Sequence, residues 1–219
     1  ASLLSRLAAF TLAEVLITLG IIGIVAAMTL PTLIANHRAI EYKTRLNTAY
    51  SLISQAIEKL RADDEILNSS EYAANTFKDV LAPNFENIEN KNIGKFSVDL
   101  SKYKSYNKNP IENGVLNDGM FTLKNGMSIY IENPGWKMYN FYIGISVDIN
   151  GYQKGPNLWG HDLFTFVLSE DGKLLPMGAS ETVYSADEYC SKTSQSDLNG
   201  IACTYRAIIE PDYFKKLPH

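Results

Sequence analysis

One stretch constrains this chain more than any other. Residues 10–36 read FTLAEVLITLGIIGIVAAMTLPTLIAN, and no charge falls between Val15 and Leu30. At ~1.5 Å per residue, a helix running from Phe10 to the residue before Pro31 just spans a bilayer core of ~30 Å. One residue does not belong in such a span. Glu14 sits near its start, and an acid at membrane depth costs roughly 2.5–3.5 kcal/mol on insertion scales, so it normally has a partner. At the water interface the cost is small, and Glu14 then needs no special role.

The company that Glu14 keeps decides between these readings. Ala9-Phe10-Thr11-Leu12-Ala13-Glu14, followed by the apolar run, resembles the N-terminal signature of type IV pilins and type II secretion pseudopilins. Gly20, Gly23 and Pro31 fit the same pattern. Ala9 stands where the family mostly has Gly, and Ala13 where it has a larger aliphatic residue. The resemblance implies cleavage between Ala9 and Phe10 by a prepilin peptidase, then N-methylation of Phe10. It implies assembly through Glu14 and a helix kinked at Pro31. A buried carboxylate in a helix bundle would neutralise the Phe10 amine, its own or a neighbour's. Such a pair fixes register, because either charge left alone is expensive.

Residues 1–9 then read as part of a leader, 10–35 as the transmembrane half of a helix, and 36–62 as its amphipathic half. Leu46, Ala49, Tyr50, Ile53, Ala56, Ile57 and Leu60 follow helical spacing, opposite Arg45, Asn47, Ser51, Ser54, Glu58 and Lys59. A single helix over residues 11–61 is expected. The alternative is two helices broken at Pro31, which removes a backbone donor and crowds the preceding turn. The apolar stripe needs a cover, and a β-sheet is the usual one.

Residues 63–117 form a variable connection, with a short helix expected at 71–81 and polar loop at 84–92. Lys91, Lys95, Lys102, Lys104 and Lys108 lie beside Tyr103 and Tyr106. A solvated loop accounts for them better than a nucleic-acid surface. The net charge of −4 likewise argues against a dedicated nucleic-acid binder.

Residues 118–219 carry strand signals at 120–124, 127–132, 141–149, 163–168 and 173–175, with Pro176 as a stop. Asn125-Gly126 is the strongest hairpin signal. The fold class expected is α+β: a long N-terminal helix packed on an antiparallel sheet of about four strands, pilin-like. A last short strand is expected at 203–210. Trp136 and Trp159 lie on loops, where core filling is the role expected of each.

Two cysteines, Cys190 and Cys203, lie 13 apart near the C-terminus. Free thiols and a disulfide are both open, and export favours the disulfide. Pilins commonly carry such a C-terminal loop. Residues 148–166 read DINGYQKGPNLWGHDLFTF. Asp148, Asn150, Asn157 and Asp162 have the hard oxygens that calcium takes, and the resemblance to pseudopilins points the same way. The competing reading is a tight loop built by Asp, Asn and Gly, with side chains bonding backbone. No cofactor is otherwise required.

No catalytic fingerprint appears, and His37, His161 and His219 are scattered. The chain reads as a non-enzymatic filament subunit: pilin, minor pilin or pseudopilin. Implied partners are other such subunits, the prepilin peptidase and an inner-membrane assembly platform. The implied location is the bacterial inner membrane, single-pass with the C-terminal domain outside the cytoplasm, then the filament. The alternatives are a minor tip subunit binding DNA or a surface, and a single-span anchored domain without assembly.

Overall fold

The computed structural model describes residues 11–62, 72–90, 99–111, 115–133 and 143–217. The leader, Ala9, Phe10, Lys91, Lys95, Trp136 and His219 lie outside the described residues. The chain divides into two compact units, residues 1–40 and 41–219. Helix α1, Leu12–Ala62, runs through both without a break at Pro31. A single helix is therefore what forms.

In the first unit every described side chain from Thr11 to Arg38 is exposed, including Leu16, Ile22, Met28 and Leu33. This helix is long and apolar enough to cross a membrane, with mean hydropathy 2.2 in its best window and none of that window buried.

In the second unit α1 packs its stripe inward. Leu46, Ala49, Ile53, Ala56, Ile57 and Leu60 are buried, as their helical spacing predicts. Tyr50, expected on the same face, sits at its rim and stacks on Phe166 with ring centroids 5.5 Å apart.

The sheet has six strands, not about four: β1 Ile88–Asn90, β2 Gly119–Leu123, β3 Ser128–Glu132, β4 Ile143–Asp148, β5 Leu163–Leu168 and β6 Leu174–Pro176. They pair antiparallel in chain order, as a meander. β1 falls inside the expected polar loop. It is a three-residue edge strand with an irregular register against β2, too short to show a period. β6 ends on Pro176 instead of stopping before it. It is also an edge strand, where a missing N–H costs no ladder bond. The β2–β3 turn closes as Asn125-Gly126 predicts, with Gly126 N donating to Leu123 O and Gly126 at φ +85°. The β5–β6 turn repeats the device at Gly172, φ +75°, whose N–H donates to Ser169 O.

Strand register sorts the side chains into two faces. Phe121, Ile129, Ile131, Ile145, Val147 and Phe166 share one face, under α1. Met120, Tyr130, Leu163 and Val167 share the other. They pack with Tyr103, Leu116, Trp159, Met177, Tyr184 and Ile201 in one core cluster. A second, mostly irregular layer therefore covers the face away from α1, and β3, β4 and β5 are buried throughout.

That layer contains two short helices, α3 Ala186–Tyr189 and α4 Cys203–Ile209. Residues 203–210 were expected to be a strand. They form α4 because their buried positions, Cys203, Thr204 and Ala207, follow a helical period, while Ile209 faces solvent. The expected helix at 71–81 shrinks to α2, Phe77–Leu81, with a 3₁₀ turn Ala82–Asn84 after it. Tyr72 reaches it by packing edge-on against Phe77.

Candidate functional site

Three features singled out in the sequence can be placed: the start of α1, the β4–β5 connection and the cysteine loop.

At the start of α1, Thr11 and Glu14 form a reciprocal cap. Glu14 Oε2 accepts Thr11 N and Thr11 Oγ1, each at 2.8 Å, and Glu14 N donates to Thr11 Oγ1 at 3.3 Å. This is a capping box, Thr-x-x-Glu, which satisfies donors that a helix start leaves orphaned. The pattern is plain in Thr11-Leu12-Ala13-Glu14, but the membrane cost of Glu14 draws attention away from it. Pro31 lies inside the helix, where it removes the donor that would meet the carbonyl of Ala27.

The β4–β5 connection brings Asp148, Asn150, Asn157 and Asp162 together. Asp148 ends β4, and Asp162 immediately precedes β5, where Leu163 pairs with Asp148. Both acids are buried. Each of their four oxygens receives a donor. Asp148 Oδ1 accepts Asn150 N at 3.2 Å and Gly151 N at 2.8 Å, and Oδ2 accepts Tyr103 Oη at 2.7 Å. Asp162 Oδ2 accepts Asn157 N at 2.8 Å, and Oδ1 accepts Leu158 N at 2.7 Å. These are side chains holding turns, the role short acids play beside glycine. Burial pushes Asp148 up to about 6, against the pull of Tyr103 and the two N–H groups. Burial and the nearby Asp148 charge push Asp162 up to about 7.

The two amides behave differently. Asn150 Nδ2 donates to Gly155 O at 3.1 Å, and Asn157 Nδ2 donates to Tyr152 O at 3.1 Å. Their oxygens, Asn150 Oδ1 and Asn157 Oδ1, are buried without a hydrogen-bond partner. Of the calcium set, then, the carboxylates already build turns and the amide oxygens are uncommitted.

Glycine is required at two places here. A Cβ on Gly151, φ +90°, would stand 2.2 Å from Gly126 O. A Cβ on Gly160, φ +78°, would stand 2.9 Å from Cys203 Sγ. Trp159 between them is buried and donates from Nε1 to Thr165 Oγ1 at 3.1 Å, the core role expected of it.

Cys190 and Cys203 are joined in a disulfide, with Cα atoms 4.9 Å apart. It ties the end of α3 to the start of α4. Inside the loop it closes, buried Asn199 accepts Ser191 N at 3.1 Å and donates to Ser191 O at 2.8 Å.

Sequence reasoning missed the residues that join α1 to this end of the domain. Lys43 Nζ donates to Ala207 O and Ile208 O, each at 2.6 Å, and so caps α4. Arg45 Nη1 donates to Ile149 O at 3.2 Å, and Tyr42 Oη accepts Asn150 Nδ2 at 3.3 Å. The cue was three polar residues of the right reach, Tyr42, Lys43 and Arg45, at the foot of the amphipathic half. Tyr103 and Tyr106, which lie beside the lysines in sequence, are buried.

The chain belongs to a protein family of unknown function, DUF6613, whose model matches residues 32–199. No curated protein and no solved structure matches it.

Proposed function

We propose that this member of DUF6613 is a structural, non-catalytic subunit of a type IV pilus-like or type II secretion filament. One observation carries the reading: a bare apolar helix that begins at a Thr11–Glu14 cap and continues through Pro31 into a half packed on a sheet. Apolar side chains exposed over that length need lipid or other helices around them. A subunit stored in a membrane and then packed helix to helix meets both needs. On this reading the helix spans the inner membrane once, with the sheet domain outside the cytoplasm. The partners are other subunits, the prepilin peptidase and an assembly platform. The disulfide supports export, since such bonds persist in oxidising compartments.

A second reading is favoured by the cap itself. Glu14 already has partners within its own chain, so a plain membrane anchor explains it without assembly. Two measurements separate the readings. Intact mass, with and without a prepilin peptidase, should reveal a species starting at Phe10 and heavier by one methyl group. An unchanged mass removes the filament reading. Glu14→Gln keeps an oxygen to accept the Thr11 bonds but drops the charge. The filament reading expects its loss from sheared filaments with membrane insertion intact. Normal incorporation would leave Glu14 a cap alone.

A further inference from the structure

A cleft opens on the sheet face away from α1, at the turn end of the β2–β3 hairpin, where neither reading of the helix has a use for it. Its volume is about 490 Å³, within the size range of small-ligand sites. β2 lines it with Thr122, which stands opposite Ser128 of β3. Residues 150–154 of the β4–β5 connection form a wall, and Glu89 of β1 joins the lining.

The fold fixes this lining from both sides. Ser128 Oγ accepts Tyr152 N at 3.3 Å, and Lys154 N donates to Gly151 O at 2.8 Å, so the wall is a turn pinned to β3. That turn presses Gly151 on Gly126 O, whereas a Cβ on Gly126 would meet nothing within 4 Å. On the other side the register of β1 slips. Ile88 stands opposite Leu123 and Asn90 opposite Thr122, so Glu89 is the extra residue of a bulge. Bulges re-aim a side chain, and they concentrate at sheet edges and beside functional sites.

The lining groups that solvent reaches have hydrogen-bonding capacity to spare. Among the described residues, the Glu89 carboxylate, the Lys154 ammonium and the Thr122 hydroxyl have no side-chain partner. Gln153 Nε2 donates to Tyr152 Oη at 3.0 Å, which leaves Gln153 Oε1 to accept. Tyr152 is half-buried and brings an aromatic ring beside them.

This set discriminates among ligand classes. Glu89 and Lys154, the one acid and the one cation of the described lining, cancel, so neither a phosphate nor a polycation gains from the local field. A divalent cation takes more oxygens than one carboxylate supplies. An apolar ligand would strip water from these polar groups and return no hydrogen bond. A sugar suits them: it is neutral, its hydroxyls both donate and accept, and its C–H face packs on a ring.

We propose that this cleft binds a neutral sugar unit of a glycan. Glu89 and Gln153 Oε1 accept from its hydroxyls, Lys154 donates to them, Thr122 does either, and Tyr152 meets its C–H face. The site belongs to the sheet domain alone, so it holds whether the helix enters a filament or only a membrane.

The test is saturation-transfer difference NMR of the full chain in a detergent without a sugar headgroup, titrated with chitotriose, maltotriose, cellotriose and mannotriose. The expected result is millimolar binding of at least one. Glu89→Ala should weaken it about tenfold or more, the loss expected of a hydrogen bond to a charged group. Glu89 is exposed on an edge strand, so this variant keeps the fold. Tyr152→Leu removes the ring and should weaken the same sugar, whereas Glu188→Ala, exposed on α3, should not. No binding at tens of millimolar across the panel, or binding that Glu89→Ala or Tyr152→Leu leaves unchanged, overturns the proposal. So does a sulfated trisaccharide that binds more tightly than its neutral parent.

Discussion

Replacing Lys43 by Met should loosen the C-terminal layer from α1. The last carbonyls of α4 have no partners within the helix. Glu210 N takes Arg206 O, which leaves Ala207 O and Ile208 O for Lys43 Nζ, at 2.6 Å each. A cation at a helix C-terminus also gains from the helix dipole. Hydrogen bonds from a charged donor contribute about 1.5–3 kcal/mol each in net terms. Both bonds share one ammonium, and burial lowers the pKa of Lys43, so lost hydration subtracts from the sum. The expected net loss is about 2 kcal/mol. Met keeps the stem and its packing, so the loss reports the ammonium. For a domain of this size that is a fall in Tm of about 4–8 °C. Near-ultraviolet circular dichroism of the full chain in detergent reads it, because so many aromatic rings are buried. A Tm within a degree of wild type would show that water replaces Lys43 without cost, and the joint would then be incidental.

Two further outcomes are expected. Ile53→Ala, under the centre of the helix stripe, should cost about 2–5 kcal/mol in urea unfolding, because Ile53 is buried against the sheet and the site cannot collapse; a loss under 1 kcal/mol would mean the stripe is not the core of the domain. Calcium in millimolar excess should leave Tm unchanged relative to chelator if Asp148 and Asp162 act only as turn builders, whereas a rise of several degrees would recruit the uncommitted oxygens of Asn150 and Asn157 as ligands.

Much of the architecture was legible because it rests on periods. The stripe from Leu46 to Leu60 holds a helical spacing long enough to fix both the helix and its buried face. Asn125-Gly126 and Asp171-Gly172 mark turns through glycines at positive φ, a local requirement that sequence shows directly. β1 and α4 were not legible for opposite reasons. β1 has three residues at an edge, so no period can form. α4 has β-branched and aromatic residues that suit a strand, but its helix is set by what holds it: the disulfide at Cys203 and Lys43 at its end. The first partner lies 13 residues away and the second 164, both outside the segment itself. Of the residues proposed for the site, the cysteine pair could be read by counting. The direction of the Asp148 and Asp162 carboxylates could not, because their donors are backbone N–H groups placed by the turn itself and, for Asp148, the hydroxyl of distant Tyr103.

The hidden face of the sheet shows why alternation alone misleads. Ser128, Tyr130, Glu132, Ser146, Asp148 and Thr165 share a face and read as a solvent-facing set. All are buried. They tolerate burial because they bond to one another or to the layer above. Ser146 Oγ meets Thr165 Oγ1 at 2.8 Å, Thr165 N donates to Thr204 Oγ1 at 2.8 Å, and Tyr130 Oη meets Tyr103 Oη at 2.8 Å. Buried polar groups without partners cost about 1–3 kcal/mol each, so such a seam holds only if the covering layer is in register. That layer has little regular structure of its own. The polar seam on this mixed face, beside Met120, Leu163 and Val167, therefore helps to specify where residues 99–111 and 177–205 must sit, as the apolar face specifies where α1 must sit. A sheet with one greasy face and one bonded face can be covered on both sides without the two covers exchanging places.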